Sequence, residues 1–152
     1  MNELPKKRDI AIINKYMYAE ILITGVFSSL VCLFYLTSDF VENFFRSSKG
    51  NIYLMTGFFA LFIFMGIFNA FNSRTTRLNL LSNIDKNKVF IILFGCISIV
   101  QLFLIYFGGS LFRTYGLTFK ELIFVILLAF SVIPVDLFRK LMFKKRGVVD
   151  YI

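Results

Sequence analysis

The stretch Ile52–Phe71 reads IYLMTGFFALFIFMGIFNAF and contains no charged residue. A helix of about 20 mostly apolar residues crosses a bilayer hydrocarbon core, which is about 30 Å thick. Three further stretches are comparably apolar on all sides: Ile21–Thr37, Val89–Phe107 and Leu122–Phe138. None alternates polar and apolar residues as a membrane barrel would, and helices satisfy every backbone group inside lipid. The sequence therefore predicts an all-α integral membrane bundle of four transmembrane helices.

The composition of the 152 residues agrees with a membrane protein. Charged residues make up 17% of the chain, whereas they are about a quarter of a soluble domain. The sequence has no His, which excludes His-based catalysis and His metal ligands. Cys32 and Cys96 fall in separate apolar spans and are predicted to be small packing residues. No linker is long enough to divide the chain, so residues 1–152 are predicted to form a single membrane domain.

The basic residues indicate the orientation of the helices. They concentrate before the first span, between the second and third, and after the fourth, whereas the first and third loops hold two each. By the positive-inside rule, both termini and the middle loop are predicted to be cytoplasmic. The net charge of +8 is then explained by topology and by contact with anionic lipid headgroups, not by nucleic-acid binding.

Two carboxylates near the ends of the spans are candidate functional groups, because ionisable residues in membrane helices are costly. Glu20 begins the first span and is either a proton or cation carboxylate or an interfacial residue paired with Lys15. Asp136 lies near the end of the fourth span. It is either part of an ion site or the partner of Arg139 or Lys140, one helical turn away.

Other polar or special residues lie within the spans. Gln101, in the middle of the third span, is expected to face the bundle and to hydrogen-bond to a neighbouring helix or contact an ion. Asn69 and Asn72 share one helix face with Gly66, which predicts close helix packing or an aqueous opening there. Pro134 is expected to kink the fourth helix, because proline leaves a carbonyl one turn earlier without its donor.

Four stretches resemble, in order and spacing, the C-terminal four-helix segment of cation-transporting P-type ATPases, nearest to the calcium-pump branch. The similarity covers about Leu4–Lys145, and the end of the second span and the last outer loop are its most recognisable parts. The stretches are LPKKRDIAIINKYM (4–17), FNAFNSR (68–74), VQLFLIYFGGSLFRTYGLTFKE (100–121) and VIPVDLFRK (132–140).

This resemblance implies the membrane-support bundle of a pump, as a fragment or split part that lacks the catalytic domains and is not catalytic alone. Asn69, Asn72 and Gln101 are then weak candidates for ion contact. Where some calcium pumps have a Glu or Gln ligand, this chain has Gly66, which implies a one-ion type. ATP and Mg would bind elsewhere in the complete pump. The implied partners are lipid and the other pump helices, and the implied location is the plasma membrane.

Two other functions fit the same residues. One is a small non-enzymatic membrane protein that binds and regulates a transporter. The other is a four-helix proton-coupled exporter in which Glu20 carries the proton. The interfacial position of Glu20 and the length of the loops argue against the exporter.

Overall fold

A computed structural model describes residues 15–74 and 87–145. Each of three spans is one long helix, the fourth span consists of two shorter helices, and the first and third loops each hold a short helix. A four-residue strand, β1, lies in the first hairpin loop. The elements are α1 (Lys15–Thr37), α2 (Asp39–Phe44), β1 (Ser48–Asn51), α3 (Ile52–Ser73), α4 (Lys88–Phe107), α5 (Gly109–Phe112), α6 (Phe119–Phe130) and α7 (Val132–Lys145).

Four helices are long and apolar enough to cross a membrane, which confirms the predicted fold class: α1, α3, α4 and the pair α6–α7. Consecutive spans run in opposite directions, so successive connections between them lie at alternate ends of the bundle. We call the end where α1 begins and α7 finishes the terminal end, and the opposite end the hairpin end. The basic segment Lys6–Arg8 and most of the middle loop lie outside the described residues, and the cytoplasmic assignment of the termini stays a prediction.

Helix α3 is the centre of the bundle. It packs against α1, α4, α6 and α7, and Ala60 and Leu61 on it are fully buried. Helix α4 lies on the outside of α3, where Phe71 meets the rings of Phe90 and Phe94 at centroid distances of 5.8 Å each. Much of α4 is exposed and apolar, as expected of a helix that faces lipid on most sides.

The first hairpin loop contains one short helix, α2, which has a buried and an exposed side. In α2 the side chain of Val41 is fully buried, whereas that of its neighbour Phe40 is 66% exposed. Helix α4 ends at Phe107, directly before Gly108 and Gly109. Gly109 has φ +51°, and a Cβ on Gly108 would collide with the carbonyl oxygen of Leu104. Both positions of the pair therefore suit glycine.

The fourth span is broken at Ser131, between α6 and α7, three residues before Pro134. Proline has no N–H, so the carbonyl of Phe130, four residues earlier, loses its helical donor. The Ser131 hydroxyl donates to the carbonyl of Leu128 at 2.6 Å. The interruption covers one residue, and Ser131 keeps a helical backbone at φ −56° and ψ −20°. The kink expected at Pro134 stays a prediction.

Candidate functional site

A group of buried charges joins three helices at the terminal end of the bundle. We call Glu20, Asp136, Arg139 and Lys140 the Arg139 cluster. The Arg139 guanidinium lies 2.6 Å from Asp136 Oδ1 and 3.2 Å from Glu20 Oε2. The Lys140 ammonium lies 2.8 Å from Asp136 Oδ2. The side chains of Asp136 and Arg139 are fully buried, whereas that of Glu20 is 15% exposed.

The Arg139 cluster also holds the last turn of α3. Lys140 Nζ donates to the main-chain carbonyl of Asn72 at 2.8 Å. The Asn72 amide nitrogen donates to the carbonyl of Val132 at 3.2 Å, and the Ser73 hydroxyl donates to Glu20 Oε1 at 2.7 Å. The last carbonyls of a helix lack partners within it and carry partial negative charge. Lys140 therefore caps α3 from a neighbouring helix.

Both carboxylates that the sequence singled out are thus ion-paired. Asp136 meets both of its predicted neighbours, Arg139 and Lys140. Glu20 meets Arg139 and Ser73, two partners that its local sequence did not suggest. In the described part of the chain, no group of three or more His, Cys, Asp or Glu side chains is placed to hold a metal ion.

A second ion pair, between the buried Glu121 and the exposed Arg46, lies at the hairpin end, and we call it the Glu121 cluster. The Arg46 guanidinium lies 3.1 Å from Glu121 Oε2 and donates to the carbonyl of Gly116 at 2.8 Å. The main-chain N–H of Arg46 donates to Glu121 Oε1 at 3.1 Å. The ring of Tyr53 lies under the guanidinium, 4.1 Å from its carbon. The hydrogen bond to Glu121 raises the pKa of Arg46 above its ordinary value.

Glu121 is also the N3 residue of a capping box at the start of α6, in which Thr118 is the N-cap. The Thr118 N–H donates to Glu121 Oε2 at 2.6 Å, and the Glu121 N–H donates to the Thr118 hydroxyl at 3.4 Å. Glu121 is 2% exposed and was not among the functional residues predicted from the sequence. The signal was the spacing Thr-x-x-Glu directly before an apolar run. Arg46 had no comparable signal, because it lies in a different loop.

Two further hydrogen bonds reach the start of α3, one from α1 and one from the third loop. The Tyr35 hydroxyl donates to the carbonyl of Leu54 at 3.1 Å, and the Tyr115 N–H donates to the Thr56 hydroxyl at 3.1 Å. A Cβ on Gly57 would collide with the Tyr35 hydroxyl. Glycine there allows α1 and α3 to approach closely, which is the role that the sequence analysis assigned to Gly66.

The remaining predicted polar residues do not form one site. Gln101 is 2% exposed on α4, and its Nε2 has no hydrogen-bond partner among the described residues. The expected hydrogen bond from this nitrogen to a neighbouring helix is therefore not seen. Asn69 Oδ1 and Asn72 Oδ1 are likewise buried without a partner in the described chain. A Cβ on Gly66 would meet nothing within 4 Å, so no helix among the described residues packs closely there.

Gly66 and Asn69 instead line a groove of about 760 Å³ between α1 and α3. The α1 side of this groove carries small residues on successive turns, including Gly25, Ser28 and Cys32. Small residues let membrane helices approach closely. Gln101 does not line this groove.

The fold and the two clusters define a multi-pass helical membrane bundle with an ion-pair cluster at each end. The family model described as "Cation transporting ATPase, C-terminus" matches residues 1–142, so the chain belongs to that family. This confirms the suspected resemblance and identifies the chain as the C-terminal membrane part of a cation-transporting ATPase. No curated protein matches the chain.

Proposed function

We propose that this chain is the support bundle of a calcium-transporting pump and that it hydrolyses no ATP by itself. Its role is to hold the helices that bind the ion, and the cytoplasmic machinery that drives them, in a fixed relation. ATP and Mg bind in other parts of the complete pump, which lies in the plasma membrane. The chain is either a split part or a piece of a longer polypeptide.

One observation carries this proposal. Glu20, Glu121 and Asp136 are the carboxylates of the described spans, and each is ion-paired to a cation of the same bundle. An ion-carrying carboxylate has to exchange its partner for the transported cation. Breaking a buried pair typically costs about 3–5 kcal/mol, a cost that applies most directly to Asp136 and Arg139, whose side chains are fully buried. These groups therefore suit a fixed scaffold better than an exchange site.

The proton-coupled exporter is the less favoured alternative for the same reason. Glu20, its proposed carboxylate, accepts a hydrogen bond from Ser73 and faces Arg139, which is fully buried. Protonating Glu20 would remove one counter-charge from that buried guanidinium. A regulator needs a surface that binds a helix of another protein. A support bundle needs the same kind of surface, so this requirement does not distinguish the two functions. Family membership favours the support bundle.

The groove between α1 and α3 is the surface where we place a further helix of the pump. Asn69 Oδ1 lies beside the groove without a hydrogen-bond partner in the described chain. An amide oxygen is a ligand type that calcium accepts. Asn69 Oδ1 can therefore coordinate an ion that the partner helix also binds. Asn72 is less suited, because the Lys140 ammonium is bonded to its main-chain carbonyl.

Calcium as the cargo follows from the resemblance to the calcium-pump branch. Gly66 occupies the place where some of those pumps have a Glu or Gln ligand, and glycine offers no side-chain oxygen. We therefore propose one calcium ion per cycle.

The test is to purify the chain from its native membrane through an affinity tag. We expect it to be joined to, or to copurify in equal amount with, a polypeptide that forms an acid-stable phosphoenzyme from ATP in the presence of calcium. Reconstituted vesicles should then take up calcium when ATP is added. A chain that is isolated alone and drives proton-coupled export in vesicles would instead establish the exporter.

A further inference from the structure

The fourth span consists of two half-helices that are held by different partners. Glu121, in the first turn of α6, is bound to Arg46 of the first hairpin loop. Asp136, Arg139 and Lys140 of α7 are bound to one another and to α1 and α3. Glu121 and Asp136 are fifteen residues apart, which is about 22 Å along a helix at about 1.5 Å per residue. The two clusters are therefore too far apart to share a contact.

The junction between the half-helices has weakened internal hydrogen bonding. Pro134 cannot donate to Phe130, and Ser131 turns its hydroxyl back to Leu128. A hydrogen bond from a different helix stabilises the far side of the junction, where Asn72 Nδ2 donates to the carbonyl of Val132. The first turn of α7 is thus bonded to α3 as well as to its own helix.

We propose that this junction is a mechanical joint, which lets α6 and α7 loosen separately. Helix α6 would belong with the hairpin end of the bundle. Helix α7 would belong with the start of α1 and the last turn of α3. A displacement at the terminal end would then reach the hairpin end only weakly through the fourth span. This inference concerns the bundle itself and does not depend on which ion the pump carries.

The experiment is amide hydrogen exchange on the full chain in detergent micelles, with peptides that resolve α6 from α7. Arg46→Gln weakens the Glu121 cluster, and Glu20→Gln weakens the Arg139 cluster with little change in shape. Exchange reports local opening, so each variant should act on the half-helix that its cluster holds. The matched controls are Lys120→Gln and Lys144→Gln, which remove exposed cations next to the same clusters.

We expect Arg46→Gln to raise exchange in α6 by about tenfold and in α7 by less than about twofold, and Glu20→Gln to do the reverse. The controls should change neither half-helix. An equal rise in both halves for either variant would show one continuous helix and overturn the proposal. No rise in either half would overturn it as well. If a glutamine variant does not fold, Arg46→Lys and Glu20→Asp provide a milder version of the same comparison.

Discussion

Arg139→Met is the substitution that tests the terminal end of the bundle most directly. The arginine side chain is fully buried and contacts two carboxylates, at 2.6 Å on Asp136 and 3.2 Å on Glu20. Methionine keeps much of the apolar volume and removes the charge. Asp136 would still have Lys140 at 2.8 Å, and Glu20 would still have the Ser73 hydroxyl and its partial exposure.

Breaking a buried pair costs about 3–5 kcal/mol, and these surviving partners place the expected loss of unfolding free energy at about 2–4 kcal/mol. A loss of that size changes the unfolding equilibrium constant by about 30- to 1000-fold, since each tenfold step is about 1.4 kcal/mol. The chain has no Trp, so unfolding in SDS–detergent mixtures would be followed by far-ultraviolet circular dichroism.

Two variants calibrate that measurement. Glu20→Gln removes a partly exposed charge and should cost less than Arg139→Met. Lys144→Met removes an exposed cation on the same helix and should leave the unfolding midpoint unchanged. An Arg139→Met protein as stable as the wild type would refute the view that the Arg139 cluster holds the three helices together.

Four further predictions follow from particular residues. Gln101→Leu should change the free energy of unfolding by less than about 1 kcal/mol, because Gln101 Nε2 is already buried without a partner in the described chain. Unfolding in SDS measures this change, and a larger loss would mean that Gln101 has a partner outside the described residues. Thr118→Ala should cost about 1 kcal/mol by removing the capping box of α6 in the same assay, and no loss would contradict that role. In an assembled pump, Asn69→Ala should reduce calcium uptake more than folded yield, whereas equal losses would make Asn69 a packing residue. In a chain without its native cysteines, cysteines at Ser47 and Ser110 should react with an impermeant maleimide only from outside the cell, and labelling from the cytoplasm would reverse the topology.

The sequence predicted the spans and part of the site for physical reasons that can be identified. Runs of apolar residues long enough to cross lipid have few structural alternatives, so all four helices were found. The contacts of Asp136 with Arg139 and Lys140 follow from helix geometry, because those residues are one turn apart. The pair of Glu20 with Arg139 joins the first span to the fourth and has no local signal.

Two other features depended on packing that the sequence does not encode locally. Close helix packing or an aqueous opening was predicted at Gly66. The structure has a groove at Gly66, and the close approach occurs at Gly57, next to Tyr35 and Phe45. Both glycines lie on α3, but helix periodicity alone does not show which face of α3 packs against another element. The pairing of Arg46 with Glu121 depends on the fold, which brings the first hairpin loop to the start of α6.

The placement of charge in this bundle favours a fixed geometry over ion exchange. A buried ion pair often adds little net stability compared with apolar packing, but it strongly disfavours arrangements in which one partner is left alone. Inside lipid an unpaired charge is costlier still, because water cannot replace the lost partner. The contact of the buried Arg139 with Glu20 therefore favours one register of the helices at the terminal end. The pair of Arg46 with Glu121 does so more weakly at the hairpin end, because the Arg46 side chain is 41% exposed. In the proposed pump, such a bundle braces mobile helices beside it, and those helices supply the charge that binds the transported cation.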